Sequence, residues 1–423
     1  MIFNSSKMKK SFAILGGNKL LKGICDKLQS YGYYVVVVDW NEKPVVVGDE
    51  HIRHEVKDSH AILRIFKDKG YDIDGAISCI DLAAPSVSAI NKAYGLKSMP
   101  EKFDVVLSKE QMANDWKAAR IFNRFSERSD NITLEEVIEL NKKCRIIIKP
   151  DVAASSRGIT TLEKNSSKEQ IVTAMNKAKE ASFNKLCLIE EYILGREFTV
   201  DMLGDDYGNI VVYGISVKYH TPYAGKNRCA VKLHWNSNVY DDETYRNIAQ
   251  RGRECYQAIG LKNSFGHLEI IMKEDGTLTP VEIGARTSGF IGSHLVSAAS
   301  GRDYLHDYID MLHGKNIGNE DYINGTQSAM WYKYNIPEGY KCVKKVALSE
   351  FLDSQITIMY HDHGGLQVGE TYGAIIDDNT CDKEGYEMMC GPKTVLTYDN
   401  IRKSELEFLK AFCDYSGSLV FED

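Results

Sequence analysis

Apolar residues over the first hundred positions fall into short unbroken runs separated by stretches of helical periodicity. Phe12-Ala13-Ile14-Leu15 is one such run, closed by Gly16-Gly17, after which Leu20, Leu21, Ile24 and Leu28 recur at the spacing of one helix face. Tyr31-Gly32 breaks that helix, and Val35-Val36-Val37-Val38 follows as a β-branched run ending at Asp39. Runs without polar alternation fit parallel strands covered on both faces. Ala76-Ile77-Ser78 comes after another helical stretch and reads as a further strand. Residues 1 to about 110 are therefore expected to form a small doubly wound α/β domain. Gly16-Gly17 does not continue as G-x-G-x-x-G, because Asn18-Lys19-Leu20 come next. It is read as a plain βα turn lining a small-molecule site rather than as a dinucleotide fingerprint.

The pattern then changes. Thr133-Leu134-Glu135-Glu136 and Ser167-Lys168-Glu169-Gln170 are capping boxes that open two helices. Between them Arg145-Ile146-Ile147-Ile148-Lys149-Pro150 reads as a strand ending in Lys-Pro, followed by a polar loop and a second strand over 158–162. From Lys185 onward strands dominate, at 186–192, 198–203, 210–217, 267–272 and 278–283, the last two joined as a hairpin by Asp275-Gly276. Such a mixture suggests α+β architecture. From about residue 320 the signals weaken, and a small mixed domain is expected.

Composition narrows the possibilities only a little. A chain of 423 residues needs two to four packed units. With 43% hydrophobic and 26% charged residues it has the profile of an ordinary soluble protein. A net charge of -7, from 52 basic and 59 acidic side chains, argues against a nucleic-acid partner. No run reaches the roughly 18 apolar residues of a membrane helix, and the N-terminus lacks the apolar core of a secretory signal. The ten cysteines form no CxxC pair, which points to reduced thiols in a cytoplasmic protein.

The candidate chemistry lies in His267-Leu268-Glu269-Ile270-Ile271 and Val281-Glu282-Ile283-Gly284-Ala285-Arg286. If the two segments pair as a hairpin, Glu269 and Glu282 share one face among apolar neighbours. Like charges so placed call for a cation, and oxygen ligands of this kind suit Mg2+ shared with nucleotide phosphates. Taken alone, the pair fits two solvated strand glutamates equally well. Other residues tilt the balance. Arg286 opens a glycine-rich stretch, Thr287-Ser288-Gly289-Phe290-Ile291-Gly292, and a guanidinium there suits a phosphoryl or carboxylate oxygen. Lys149 ends an apolar strand, where an ammonium calls for an anion. Ala153-Ala154-Ser155-Ser156-Arg157-Gly158 is a small-residue loop of the kind that closes over phosphates.

Lys109, Lys149-Pro150, the loop Ser155-Ser156-Arg157-Gly158, Glu190-Glu191-Tyr192-Ile193, Glu197, Glu269 and Glu282-x-x-x-Arg286 occur in the order and spacing of the ATP-grasp superfamily. The chain resembles in particular its carboxylate–amine ligases, related to biotin carboxylase and the carbamoyl-phosphate synthetase large subunit. The resemblance spans roughly residues 11–315. It implies a preceding α/β domain (1–110), an ATP-grasp domain (111–315, with subdomains near 111–191 and 192–315) and a C-terminal α+β domain (316–423).

By that resemblance Lys109 and Lys149 contact ATP phosphates from two sides, and the 155–158 loop closes as a lid. Glu190, with the backbone of Glu191 and Ile193, holds adenine, and Glu197 takes the ribose hydroxyls. Glu269 and Glu282 hold Mg2+ (Mn2+ is an alternative), and Arg286 faces the transferred phosphoryl group or the substrate carboxylate. Relatives commonly read Glu-x-Asn-x-Arg; here Gly284 stands in the asparagine's place, so one oxygen ligand of the metal shell is missing.

The implied reaction joins a small carboxylate to an amine through an acyl phosphate, with ADP and phosphate released. The implied partners are small molecules, with no nucleic acid or membrane and with a homodimer as a possible assembly. A bicarbonate-activating carboxylase or carbamoyl-type enzyme, and a nucleotide-binding protein without catalysis, are the competing readings. Lys218, Lys226, Arg228 and Lys232, around the segment from His220 to Trp235, are candidates for binding acidic substrate groups. His361-Asp362-His363 looks like a metal motif but, before Gly364-Gly365, is read as a turn.

Overall fold

The computed structural model describes residues 10–100, 103–153, 157–221, 229–288, 292–334, 336–362, 367–372 and 385–417. The first unit follows the expected pattern. Strands β1 (Lys10–Leu15), β2 (Tyr34–Asp39), β3 (Glu50–Arg53) and β4 (Asp72–Ile77) form a parallel sheet in the order β3-β2-β1-β4. Helices α1 (Lys22–Ser30), α2 (Ser59–Lys69) and α3 (Ala84–Ala93) cover it. The unbroken runs 12–15 and 35–38 lie side by side, fully buried, as a sheet clad on both faces requires. Beyond β1 and β4, Ser78 Oγ donates to Leu15 O at 2.6 Å and accepts from Ile80 N at 3.0 Å. These bonds fix the loop that carries Asp81 at the carboxyl ends of the strands, where open α/β sheets present their ligand sites.

A second, antiparallel sheet has the order β5-β8-β6-β7, from β5 (Ser126–Arg128), β6 (Ile146–Pro150), β7 (Thr160–Leu162) and β8 (Cys187–Glu191). Helix α4 (Lys109–Ala118) precedes it. Helices α5 (Leu134–Lys143) and α6 (Lys168–Ala181) begin at the two capping boxes, with both reciprocal hydrogen bonds formed at Thr133 and at Ser167.

The third sheet has eight strands: β9 (Arg196–Gly204), β10 (Ile210–His220), β11 (Ala230–Trp235), β12 (Ser264–Met272), β13 (Leu278–Gly284), β14 (Gln327–Lys333), β15 (Thr357–Asp362) and β16 (Tyr386–Pro392). Their order is β13-β12-β9-β10-β11-β14-β16-β15. Helices α7 (Asp242–Ala258), α8 (Gly292–Ser300), α9 (Tyr304–Leu312) and α10 (Tyr398–Cys413) complete the chain. The segment after residue 316 thus adds three strands to the sheet that holds β9–β13, and the boundary expected there does not separate two sheets. The pairing of β11 with β14 is a contact between residues about a hundred positions apart, which local periodicity does not register. His361 and Asp362 lie in β15, opposite Glu387 and Tyr386, and not in a turn; His363 is outside the described residues.

The first unit is fastened to the large sheet through α9. Tyr308 Oη donates to Ala76 O at 2.8 Å, and Phe12, Ile77, Leu295, Tyr304 and Leu312 share one apolar core. At the other flank Lys232, a sequence candidate for substrate binding, is instead wholly buried against Glu405 of α10, Nζ to Oε2 2.6 Å. Tyr332 Oη donates to the other carboxylate oxygen at 2.7 Å, and the ammonium lies 5.4 Å from the Tyr332 ring centroid and 5.8 Å from that of Tyr398. Replacing one member leaves an uncompensated buried charge. Glu405→Leu should cost about 3–5 kcal/mol in urea denaturation, and adding Lys232→Met should recover most of it. A single variant as stable as the parent chain would show that the pair does not pin α10.

Candidate active site where the three sheets meet

The hairpin of β12 and β13 turns at Asp275-Gly276, where Gly276 has φ of 81°, a backbone that favours glycine. This turn sets Glu269 directly opposite Glu282, as the alternation requires, with His267 opposite Gly284 one step on. All four therefore face the same side of the sheet. Lys218, from β10, places its ammonium 2.9 Å from Glu269 Oε1 and also pairs with Glu197. Lys109, the first residue of α4, lies 3.1 Å from Glu282 Oε2 and donates to Ala153 O at 3.1 Å. Glu269, Glu282, Lys109, His267, Arg286 and Asp81 line a common cleft.

The two glutamates differ electrostatically. Burial raises the carboxyl of Glu269, Lys218 only partly offsets this, and the neighbouring charges of Glu197 and Glu282 raise it further. Burial acts in the same direction on Glu282, but the ammonium groups of Lys109 and Lys149 outweigh it and bring the carboxyl down to about 2. Glu282 is thus a committed anion, and Glu269 is an anion short of positive charge. Two carboxylates disposed in this way fit a hard divalent cation such as Mg2+, which takes oxygen ligands and few of them from protein. Among the described residues no group of three or more His, Cys, Asp and Glu side chains is arranged to hold a metal.

Behind this pair lies a buried knot of charge. The Lys149 ammonium, 4% exposed, sits 2.8 Å from Glu190 Oε2, and Arg124 Nη2 reaches the same oxygen at 2.9 Å. Ser126 Oγ donates to Glu190 Oε1 at 2.9 Å. Burial and the second cation, Arg124, lower the Lys149 ammonium despite Glu190, while the two cations overcome burial and lower the Glu190 carboxyl. One carboxylate thus serves two cations, leaving the group in net positive balance. Arg124 did not emerge from the sequence. The signal that could have found it is an arginine among the large apolar residues Ile121, Phe122 and Phe125, where its guanidinium packs 5.0 Å from the Phe122 ring centroid.

The remaining expected residues are distributed as follows. The Glu190 side chain is fully engaged by Lys149, Arg124 and Ser126, so at the hinge only backbone remains. The N–H groups of Glu191 and Tyr192 donate to Phe125 O and Arg145 O, whereas that of Ile193 has no backbone partner among the described residues. Glu197 is held by Lys218 and by His220, Nε2 to Oε2 3.2 Å; against the cost of burial these two partners lower its carboxyl. Of the expected lid, Ser155 and Ser156, and of the substrate candidates, Lys226 and Arg228, fall outside the described residues. Arg157 is exposed. Gly158 has φ of 79°, and a Cβ there would stand 2.6 Å from Ala181 Cβ, so the loop re-enters tightly against α6. Arg286 donates from Nε to Asp81 Oδ1 at 2.7 Å and from Nη1 to Thr287 O at 3.0 Å.

His267 is a further residue the sequence did not single out. Its Nδ1 lies 2.9 Å from Asp201 Oδ1, and the other oxygen of that buried carboxylate accepts from Trp235 Nε1 at 2.8 Å. The imidazole at the cleft is thereby fixed in orientation. The alternation that exposes Glu269 to the cleft also places His267 there, two residues earlier.

Residues 142–294 match the family model of an ATP-grasp domain. Among solved structures, an L-amino acid ligase from Bacillus licheniformis superposes with a TM-score of 0.70 at 15% identity, over 96% of this chain and 98% of that one. A phosphoribosylglycinamide synthetase from Anaerococcus prevotii gives 0.65 at 17% identity, over 95% and 97%. The biotin carboxylase domain of the Hydrogenobacter thermophilus 2-oxoglutarate carboxylase, solved as a dimer with MgADP, ADP and bicarbonate, gives 0.68 at 14% identity, over 96% and 90%. No sequence among the curated proteins matches the chain. Residues 142–294 thus match the ATP-grasp domain family, and the chain has the fold of these ATP-grasp structures.

Proposed function

We propose that the protein is an ATP- and magnesium-dependent ligase that activates a carboxylate as an acyl phosphate and transfers the acyl group to an amine. The observation that carries this reading is the pairing of Glu269 with Glu282 in a cleft that also holds Lys109 and Arg286, with Lys218 bound to Glu269. Phosphoryl transfer asks little covalent chemistry of a protein; it needs charge placed where the transferring group develops it. The alternating cations and carboxylates of this cleft are suited to that task.

Glu269 and Glu282 would hold Mg2+ (or Mn2+), which supplies neutralisation of the nucleotide phosphates. Lys109, from the start of α4, and Lys149, from β6, would meet those phosphates from two sides, Lys149 already in an environment of excess positive charge from Arg124. Adenine would lie against the backbone at 191–193, with Glu190 fixing Lys149 and not touching the base. Glu197 would take the ribose hydroxyls from its place beside Lys218 and His220. Arg286 would face the carboxylate whose oxygen attacks the γ-phosphorus as ADP leaves. The amine nitrogen then attacks the acyl carbon, and inorganic phosphate departs with the pair of electrons of the C–O bond. Closure of the 155–158 loop would keep water from the acyl phosphate.

The deciding assay is phosphate release from ATP and Mg2+ across a matrix of amino acids and small carboxylates, with products identified by mass. Formation of an amide in at least one pairing is expected. Release that requires bicarbonate and no amine would replace this reading with a carboxylase. In the active pairing, Glu269→Gln and Glu282→Gln should each lower phosphate release by about a hundredfold or more, with the circular dichroism spectrum unchanged. Turnover undiminished in both variants would sink the metal assignment. Lys149→Ala leaves Glu190 neutralised by Arg124, so the chain should stay folded while ADP binding in calorimetry weakens about tenfold or more; unaltered ADP affinity would remove Lys149 from the nucleotide site.

A further inference from the structure

Asp81 lies in the loop that follows β4 of the first unit, yet its carboxylate lies in the cleft of the third sheet, 205 positions away in sequence from the residue it meets. Its place is fixed from behind. Ser78 bonds the loop to the end of β1, Tyr308 Oη bonds to Ala76 O, and Asn263 Nδ2 donates to Ser98 O at 3.1 Å, so the first unit cannot slide over β13 without breaking these contacts. From that position Asp81 Oδ1 takes the Nε–H of Arg286 at 2.7 Å, and Thr287 O takes one Nη1 hydrogen at 3.0 Å. Two restraints on different nitrogens fix both the position and the plane of the guanidinium. The rest of its five N–H groups are left to an anionic oxygen.

Gly284 explains how the carboxylate gets there. Its φ is not in the left-handed region, so backbone conformation does not require a glycine. Space does. A Cβ on residue 284 would stand 2.6 Å from Asp81 Oδ1 and 3.2 Å from Arg286 Nε. Both contacts are with the ion pair itself, and the side chain of an asparagine would have to displace it. The departure at 284 noted in the sequence is therefore the counterpart of Asp81.

We propose that Asp81 is a positioning residue for Arg286, contributed to the phosphate end of the cleft by the first unit and admitted there by the missing side chain at 284. This rests on the reading above that Arg286 faces the transferring phosphoryl group or the substrate carboxylate. A positioned guanidinium contributes most where charge develops, so its loss falls on turnover rather than on nucleotide binding.

The test combines kinetics with a measurement that needs no turnover: the gain in MgADP affinity on adding aluminium fluoride, which mimics the transferring phosphoryl group. For Asp81→Ala we expect kcat for phosphate release to fall about ten- to hundredfold, with the KM for ATP and the affinity for MgADP alone nearly unchanged and the aluminium fluoride gain lost. Asp81→Asn keeps an oxygen for Nε and should recover most of both. Gly284→Ala, which pushes the carboxylate away from the other side, should reproduce Asp81→Ala, and the double variant should be no worse than either single one, because all three break one contact. Gain and kcat that survive Asp81→Ala overturn the inference alone, as does a double variant whose losses multiply. A parent protein that binds MgADP but shows no gain with aluminium fluoride overturns the functional reading and the inference with it.

Discussion

Charge withdrawn from water at the junction of three sheets governs the rest of this molecule. Lys109, Arg124, Lys149, Lys218 and Arg286 come from different elements, and each is neutralised by a carboxylate on another: Glu282, Glu190, Glu269 with Glu197, and Asp81. An isolated buried charge would cost several kcal/mol, so no one sheet can present these side chains without the others. The junction is consequently both the place where the sheets are held in register and the place where the proposed functional groups lie. The same coupling explains why Glu282 is firmly ionised while Glu269, thirteen residues earlier on the neighbouring strand, is held less easily as an anion.

The pairs are unequal in kind. Lys232 with Glu405 is sealed from solvent and further satisfied by Tyr332, which makes it an anchor. Those of the cleft and of the knot behind it share partners, Lys218 between two glutamates at the partly open cleft and Glu190 between two cations in the buried knot. A shared partner can be released to a ligand without stranding the other, since a neighbour remains to neutralise it. That difference in connectivity separates the charges that hold the fold from those available to bind.

Much of this was legible in the sequence wherever the information is local. The unbroken runs at 12–15 and 35–38 specified a parallel sheet, the two capping boxes specified helix starts, and Asp275-Gly276 with the flanking alternation specified that Glu269 faces Glu282. What escaped depends on contacts far apart in the chain. Lys232 looked like a surface cation because Glu405 lies 173 positions on. Arg124 looked unremarkable until Glu190 was placed beside it, and His267 until Asp201 was. The spacing of Glu190 from Glu197 is visible in the sequence, whereas its two cationic neighbours are not. The three strands of the last hundred residues were missed for the same reason: their partners are β11 and one another across long connections.

That long connection has a consequence for biosynthesis. Strand β11 ends at Trp235, and the neighbour that satisfies its outer backbone groups, β14, begins at Gln327. During vectorial synthesis the cleft residues through Arg286 leave the ribosome first, while the large sheet still has an open edge of the kind that recruits foreign strands. The edge closes only when β14 arrives, and the cover is sealed only when Glu405 on α10 reaches Lys232. The nascent chain thus passes through a stage in which its chemistry is written but its sheet is unfinished, and its yield in a cell will depend on how that interval is shielded.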